Sequence, residues 1–439
     1  MIQASVLTDE ALLDQLQCAA FDYFLKTVNP LNGLVADTSR DNSPVSIAVV
    51  GFALASYPVA VERGWIERAD AAQRSLAALR FFRDSDQSGS PTATGFKGFY
   101  YHFLDHRTGA RVWRSELSMI DTALLIAGAL TASMYFTADT TDEIALRGLV
   151  DFLYRRIDWR WAQNDGDTIR QGWKPECGFL HYGWEGYSEA ILLYVLAMGS
   201  PTHPIVGDCY KAWTATYQWE NLYNYDYLYA GPLFMHHFSH AWIDFRGIRD
   251  RFMREKRSDY FENSRRAVYI HREYAQRNPH EFAGYDENCW GLSACDGPSD
   301  EQPGVSNETR RLFGYAARGV PYGPDDGTVS PASVLASLPF APEIVLDTVR
   351  SMIARYPEML RDGRLSSSFN PTLTDANKCA WVSAGHFGLD QGIVLMMIEN
   401  HRTERIWQLM RGCPIIRNGL HNAGFRGGWL QAPPVDGAS

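Results

Sequence analysis

The chain has 439 residues, 46% of them hydrophobic and 21% charged, which is ample apolar material for a large folded core and excludes a disordered protein. Its formal net charge of -10, with no Lys/Arg cluster standing out, argues against a surface built to neutralise phosphates, so nucleic acid is not expected as a partner. The absence of a Pro/Ser-rich linker or long charge run makes one domain over residues 1–439 the simplest expectation.

The N-terminus, MIQASVLTDEALLDQLQCAAFDYFL, has acids spread through it and no basic-then-apolar leader pattern. No apolar run anywhere is long enough for a bilayer, so no membrane insertion is expected; cytoplasm and periplasm stay open, as does the oligomeric state. From Thr8 onward, apolar residues recur at helical spacing in about twelve segments: 8–28, 45–63, 67–84, 116–136, 142–158, 187–198, 204–218, 235–242, 257–278, 330–338, 342–356 and 389–410. Thr8 with Asp9 and Glu10 opens the first, Ser43-Pro44 the second, and Gly199-Ser200-Pro201 closes the sixth. Strand-like alternation is scarce. An all-α fold of paired helices closed into a toroid accounts for this pattern.

Five long segments interrupt the helices, at 88–116, 162–186, 223–236, 284–304 and 361–388, each rich in Gly, aromatics and acids. Loops of that length inside a compact domain are usually functional, and at one end of a helical barrel they would wall a cleft. The 13 Trp and 22 Tyr supply flat amphipathic faces that suit sugar rings, although a large core accounts for most of them. The seven Cys are dispersed without a CxxC pair or zinc spacing; free thiols are the expectation, with a Cys289–Cys295 bridge as the alternative in an oxidising compartment.

Cleaving an acetal between sugars needs a proton donor and a second carboxylate. Glu189 stands in GYSEA between Tyr187 and Tyr194 at a predicted helix entrance, where it is either a first-turn carboxylate answering the helix dipole or an acid held protonated by desolvation. Glu185, nearer the entrance, reads as the helix cap. Asp390 stands where the Gly-rich SAGHFGLDQG turns into an apolar helix, as an N-cap or a catalytic base. Asp121, among Ile120 and Ala123-Leu124-Leu125, needs a partner, and Glu116 lies nearer the loop. In HHFSHAWIDFRG, His236, His237 and His240 lack the HExxH base of a metal site, and Asp244 with Arg246 reads as a structural pair. No P-loop, dinucleotide fingerprint or GxSxG elbow occurs, so no cofactor is expected.

Taken in order, SELSMIDTALLIAGAL, GWEGYSEAILLYVLAMGSPTHPI, YAGPLFMHHFSHAWIDFRGIRD, YFENSRRAVYIHREYA, GYDENCWGLSACDGP, DDGTVSPASVLASLPFAPE and LDQGIVLMMIENHRTERIWQLM resemble the glucoamylase-like family. That family includes the endo-β-1,2-glucanases of glycoside hydrolase family 144 and is related to the transglycosylase domain of cyclic β-1,2-glucan synthases. The resemblance runs from about residue 8 to 430. It implies an (α/α)6 barrel and a metal-free, anomer-inverting hydrolysis of β-1,2-glucan, with Glu189 as general acid and Asp390 as general base. Glu116, Asp121, Trp184, His240, Asp244, Arg246, Glu287, Trp290 and Asp296 are then expected to line sugar subsites. Ser188 and Ile393 depart from the Asn and Pro more usual beside the two acids, which leaves endo and exo cleavage open. A retaining transglycosylase, a phosphorylase or a binding protein that has lost catalysis are the alternatives on the same barrel.

Overall fold

The computed structural model describes residues 7–299, 311–374 and 379–431. Residues 300–304 of the fourth expected loop and 375–378 of the fifth lie outside the described residues. Among the described residues there are fifteen α-helices and six small antiparallel sheets, the largest of five strands. No described helix is long and apolar enough to cross a membrane.

The chain divides into two compact units. In the unit of residues 24–217, 239–260 and 403–439, three helices are apolar on every side: Ile47–Glu62, Met119–Tyr135 and Ile191–Gly199. Every residue from Ile47 to Ala60 is buried, as is every residue from Ile191 to Met198. A helix without a polar face must be covered all round. The cover comes from helices that are apolar on one face only, such as Arg68–Asp84, which buries Ala71, Ala72, Ser75, Leu76, Ala78, Leu79 and Phe82. Arg68–Asp84 packs on Thr141–Arg156, and Arg68 is bound to Glu143 at 2.8 Å; Pro414–Asn422 packs on Ile191–Gly199.

Glycine sets how closely these helices approach. A Cβ placed on Gly128 would lie 1.9 Å from the carbonyl oxygen of Gly51, and one on Gly51 would lie 2.4 Å from that of Leu124. The helices Ile47–Glu62 and Met119–Tyr135 therefore touch backbone to backbone. Gly419 does the same against Val195, with 1.9 Å left for a Cβ.

All five long loops carry short strands that the helical periodicity did not announce, and the first two supply most of the largest sheet. Strands Gly95–Phe96, Phe99–Tyr101, Leu117–Ser118, Gly172–Lys174 and Gly178–Phe179 form the five-stranded sheet, with Tyr101 opposite Leu117 and Leu117 opposite Trp173. The strand Val45–Ser46 pairs with Phe103–Leu104 and leads directly into the helix Ile47–Glu62.

In the unit of residues 1–23, 218–238 and 261–402, Gly388–Arg402 packs on Pro331–Ala336, and the first helix is tied to it where Gln17 donates to Glu399 at 2.9 Å and to the Leu395 carbonyl at 3.2 Å. A fully buried ion pair, Arg318 with Asp326 at 2.7 Å, also engages the Cys295 and Gly314 carbonyls. Those bonds hold the short ladder Ala294–Cys295 with Ala316–Ala317.

Three sequence expectations change. The segment 389–410 is two helices, Gly388–Arg402 and Arg405–Gly412, because Glu404 adopts a left-handed backbone at φ 60°. The short helix Arg251–Glu255 and the helix Pro414–Asn422 had no separate signal in the periodicity. Cys289 and Cys295 are buried free thiols, so the alternative of a bridge between them is set aside.

The close approach of Gly51 and Gly128 yields a paired test. Gly128→Ala is expected to destabilise the protein by at least about 3 kcal/mol, since a backbone carbonyl cannot move aside as a side chain does. Gly148→Ala, in an exposed helix position where a Cβ meets nothing within 4 Å, is expected to be neutral or to stabilise by about 0.5–1 kcal/mol. Thermal unfolding of both variants checks the contrast.

Candidate active site

The sheet register brings the first group of acids together. Because Tyr101 stands opposite Leu117, the next residue outward on each strand, His102 and Glu116, also face each other, and the His102 N–H donates to the Glu116 carbonyl at 2.9 Å. The side chains meet as well, His102 Nδ1 lying 2.9 Å from Glu116 Oε1. Ser118 ends the neighbouring strand and caps the helix Met119–Tyr135: its Oγ accepts from the Asp121 N–H at 3.2 Å and donates to the Asp121 carboxylate. That cap turns Asp121 back toward the sheet, with its Oδ2 3.6 Å from His102 Nε2. The partner that the apolar setting of Asp121 demanded is thus a hydroxyl and an imidazole.

One imidazole between carboxylates is strongly polarised. Burial disfavours the charged ring, but Asp121, the hydrogen bond to Glu116 and the more distant Asp37 outweigh it, and the His102 pKa rises to about 9. At neutral pH the ring is an imidazolium, donating to Glu116 through Nδ1. Burial likewise works to raise the Glu116 carboxyl, yet His102 holds it below the usual carboxylate range. Asp37 is lifted to about 6 by burial, which His102 only partly offsets and Asp121 reinforces.

Glu189 belongs to the same unit and feels the charge of Asp121. It lies in a turn two residues before the helix Ile191–Gly199, outside the first turn where the sequence placed it; the N-cap is Ala190, and Glu185, expected to be the cap, is exposed upstream. Two bonds fix the turn: Ser239 Oγ donates to the Glu189 carbonyl and accepts from the Leu192 N–H at 3.1 Å. The side chain is 8% exposed and its Oε2 is buried without a hydrogen-bond partner. Burial first, and then the negative charge of Asp121, push its pKa up to about 7. A carboxyl in that condition holds its proton near neutrality, which is what a general acid requires.

Asp390, in the other unit, lies in the first turn of the helix Gly388–Arg402, two residues inside its start and so not at the N-cap. The exposed amides of that turn favour a negative charge. Burial, opposed by Arg318 and reinforced by the charge of Asp390, raises the nearby Cys295 thiol to about 12, an inert state. Asp296, beside Cys295 in sequence, accepts from Ser383 Oγ at 2.7 Å.

The remaining sequence candidates are placed as follows. Asp244, 2% exposed, is clamped by Arg246 at 2.8 Å and by Arg411, while both arginines also bind Glu404. That network joins the segment after the helix Phe238–Trp242 to the helix Arg405–Gly412. His240 is buried, packs on Phe245 at 4.7 Å, and its carbonyl accepts from Trp407. His236 and His237 are used separately, on the Ala230 carbonyl and on Ser337 Oγ. Trp184 is half-buried; its carbonyl accepts from Tyr194 and its indole N–H is buried without a partner. Trp290 is wholly buried with its N–H on Thr348, a position that leaves no ring face for a sugar. Glu287 is an exposed acid paired with Arg272 and Gln276. Sequence reasoning missed His102 and Asp37, and only the strand register, which pairs His102 with Glu116, singles out the first.

The chain is similar over most of its length to proteins of known structure or curated role. A family model described as "Putative glucoamylase" matches residues 181–414. The exo β-1,2-glucooligosaccharide sophorohydrolase (non-reducing end) of Parabacteroides distasonis is 27% identical over 453 residues, covering 94% of this chain. The chain spans 58% of the length of that relative. A putative glucoamylase from Bacteroides uniformis superposes with a TM-score of 0.85 at 28% identity, covering 97% of this chain and 99% of that one. The endo-β-1,2-glucanase of Chitinophaga pinensis, in complex with sophorotriose and glucose, gives 0.82 at 25% identity, covering 97% and 100%. Since the family model runs over more than half of its residues, the chain belongs to the Glycoamylase family of glucoamylase-like proteins.

Proposed function

We propose that this chain is a glycoside hydrolase that cleaves β-1,2-glucan or β-1,2-linked gluco-oligosaccharides by inversion, with Glu189 as general acid and Asp390 as general base. The observation that carries the reading is the state of Glu189, a buried carboxyl with an unpaired oxygen and a pKa pushed up to about 7 by burial and by the charge of Asp121. The substrate class is supported by the names of the Parabacteroides and Chitinophaga relatives. The (α/α)6 toroid and the single catalytic domain expected from the sequence are part of the same proposal, supported by near-complete coverage of the Bacteroides and Chitinophaga structures.

In this mechanism protonated Glu189 gives its proton to the leaving glycosidic oxygen as the C–O bond breaks. Asp390 removes a proton from the attacking water on the opposite face of the sugar, and the new anomer is α. The glycosidic oxygen gains charge as its bond lengthens, so a neutral carboxylic acid that ionises only in the transition state is stabilising where it is needed. Burial, with the charge of Asp121 added to it, keeps the proton on Glu189, and the His102 imidazolium keeps the accumulated negative charge of Glu116, Asp121 and Asp37 tolerable.

Incubation with linear and cyclic β-1,2-glucan, laminarin, cello-oligosaccharides and starch is expected to release products from the β-1,2-linked substrates, with the α-anomer first in NMR spectra. Glu189→Gln and Asp390→Asn are each expected to lower kcat by at least about a thousandfold with unchanged circular dichroism. Cleavage of starch alone, or the β-anomer as first product, overturns the proposal.

The titration of Glu189 gives two further outcomes. Activity requires the protonated acid, so kcat/KM is expected to fall tenfold per pH unit above about pH 7 and to do so on the alkaline side of the profile. Stability moves in the same direction. The unfolded chain releases this proton near 4.5 and the folded one near 7, so folding loses stability as pH rises between those values, on the order of 3 kcal/mol in total. Glu189→Gln removes that loss, and its thermal midpoint is expected to exceed that of the wild type by more at pH 8 than at pH 4.5.

A further inference from the structure

Within residues 24–217, a second polar feature lies at the edge of the acid cluster. A cavity of about 550 Å³ is lined by residues 26–28, 36, 38–44, 105–107, 112 and 113, with Thr38, Arg40, Asp41, Arg107 and Trp113 among them. Its volume falls in the range of small-ligand pockets, and its lining is rich in groups that bond hydroxyls.

Trp113 is 70% exposed. A solitary exposed apolar side chain needs no explanation by itself. This one sits in a turn whose residues Trp113 and Arg114 both have left-handed backbones, at φ 56° and 50°, a conformation that bulky side chains adopt rarely. The turn persists because its ends are fastened. Arg111 lies over the Tyr101 ring at 4.6 Å, grips Glu176 with two bonds of 2.8 and 3.1 Å, and donates to the Ser115 carbonyl, while the Val112 N–H donates to Phe103 at 3.1 Å.

The indole also has a defined seat. It lies against Phe103 at 5.1 Å between centroids, and Phe103 stacks nearly parallel on His102 at 3.9 Å. A row of three rings thus runs from the exposed indole to the imidazole that binds Glu116 and faces Asp121. Asp37, electrostatically coupled to His102, sits between Ala36 and Thr38 of the cavity wall. The ring contacts of Trp113, Phe103 and His102 thus link the cavity's lining to the acid cluster.

We propose that this cavity is an outer sugar-binding subsite, in which a glucosyl unit remote from the scissile bond stacks its C–H face on Trp113 while its hydroxyls bond to the polar wall. Pyranose rings present such an apolar face, and an indole held open to solvent by a fixed turn is pre-organised to receive it. The proposal rests on the β-1,2-glucanase reading above and specifies where along the substrate chain that reading gains affinity.

Steady-state kinetics on β-1,2-linked oligosaccharides of increasing length test it. Trp113→Ala is expected to lower the ratio of kcat/KM for long over short oligosaccharides about tenfold, through KM rather than kcat, and Trp113→Tyr to restore most of it. An equal loss at every length, or no change at any, overturns the subsite. Calorimetric titration of a long β-1,2-gluco-oligosaccharide into Glu189→Gln and Glu189→Gln/Trp113→Ala separates the two readings. If the wild type cleaves no β-1,2-glucan, the catalytic reading falls, and about tenfold weaker binding by the double variant still upholds the subsite. Equal binding by the two variants, or binding by neither, overturns it.

Discussion

The contact between Gly51 and Gly128 governs what lies at the ends of the helices that carry them. With no side chain between them, Ile47–Glu62 and Met119–Tyr135 lie in backbone contact. Their N-terminal ends are then close enough for the short strands just before them to meet a common partner. Val45–Ser46 pairs with Phe103–Leu104, and Leu117–Ser118 pairs with Phe99–Tyr101 of the same loop. His102 is the residue between those two pairings. The acid cluster is thus a product of helix packing, transmitted through two short ladders to one imidazole.

Charge in that cluster is arranged by neighbours more than by residue type. Three carboxyls of one unit, Asp37, Glu116 and Asp121, interact with one imidazole, and a fourth, Glu189, interacts with Asp121; burial works to raise Asp37, Glu116 and Glu189. The imidazole reverses the effect for Glu116, with which it shares a hydrogen bond, moderates it for Asp37, and is not among the influences on Glu189. Position relative to His102 therefore separates an ionised acid from one that keeps its proton.

Much of this was legible in the sequence, and the limits are physical. Helices such as Ile47–Glu62 and Thr141–Arg156 were readable because a continuous apolar run or a one-faced stripe has few other solutions. Glu189 drew notice because an acid between two tyrosines at a helix entrance is unusual, although the cap is Ala190 and the acid lies before the helix. The break at Glu404 was hidden because its left-handed backbone is held by Arg246 and Arg411, partners that only folding supplies. His102 was hidden for a similar reason, since two- and three-residue strands are too short to show alternation, and register is a property of the pair. Trp290 misled because an aromatic in an acidic, glycine-rich loop looks the same whether it faces a sugar or Thr348.

Ser239 bonds the carbonyl of Glu189 and the amide of Leu192 with one hydroxyl, so the backbone that carries the acid is fastened to the start of the helix that follows it. A proton can leave and return there while the turn stays still. The work of ionising Glu189 then falls on electrostatic response and solvent near the carboxylate, with little conformational reorganisation.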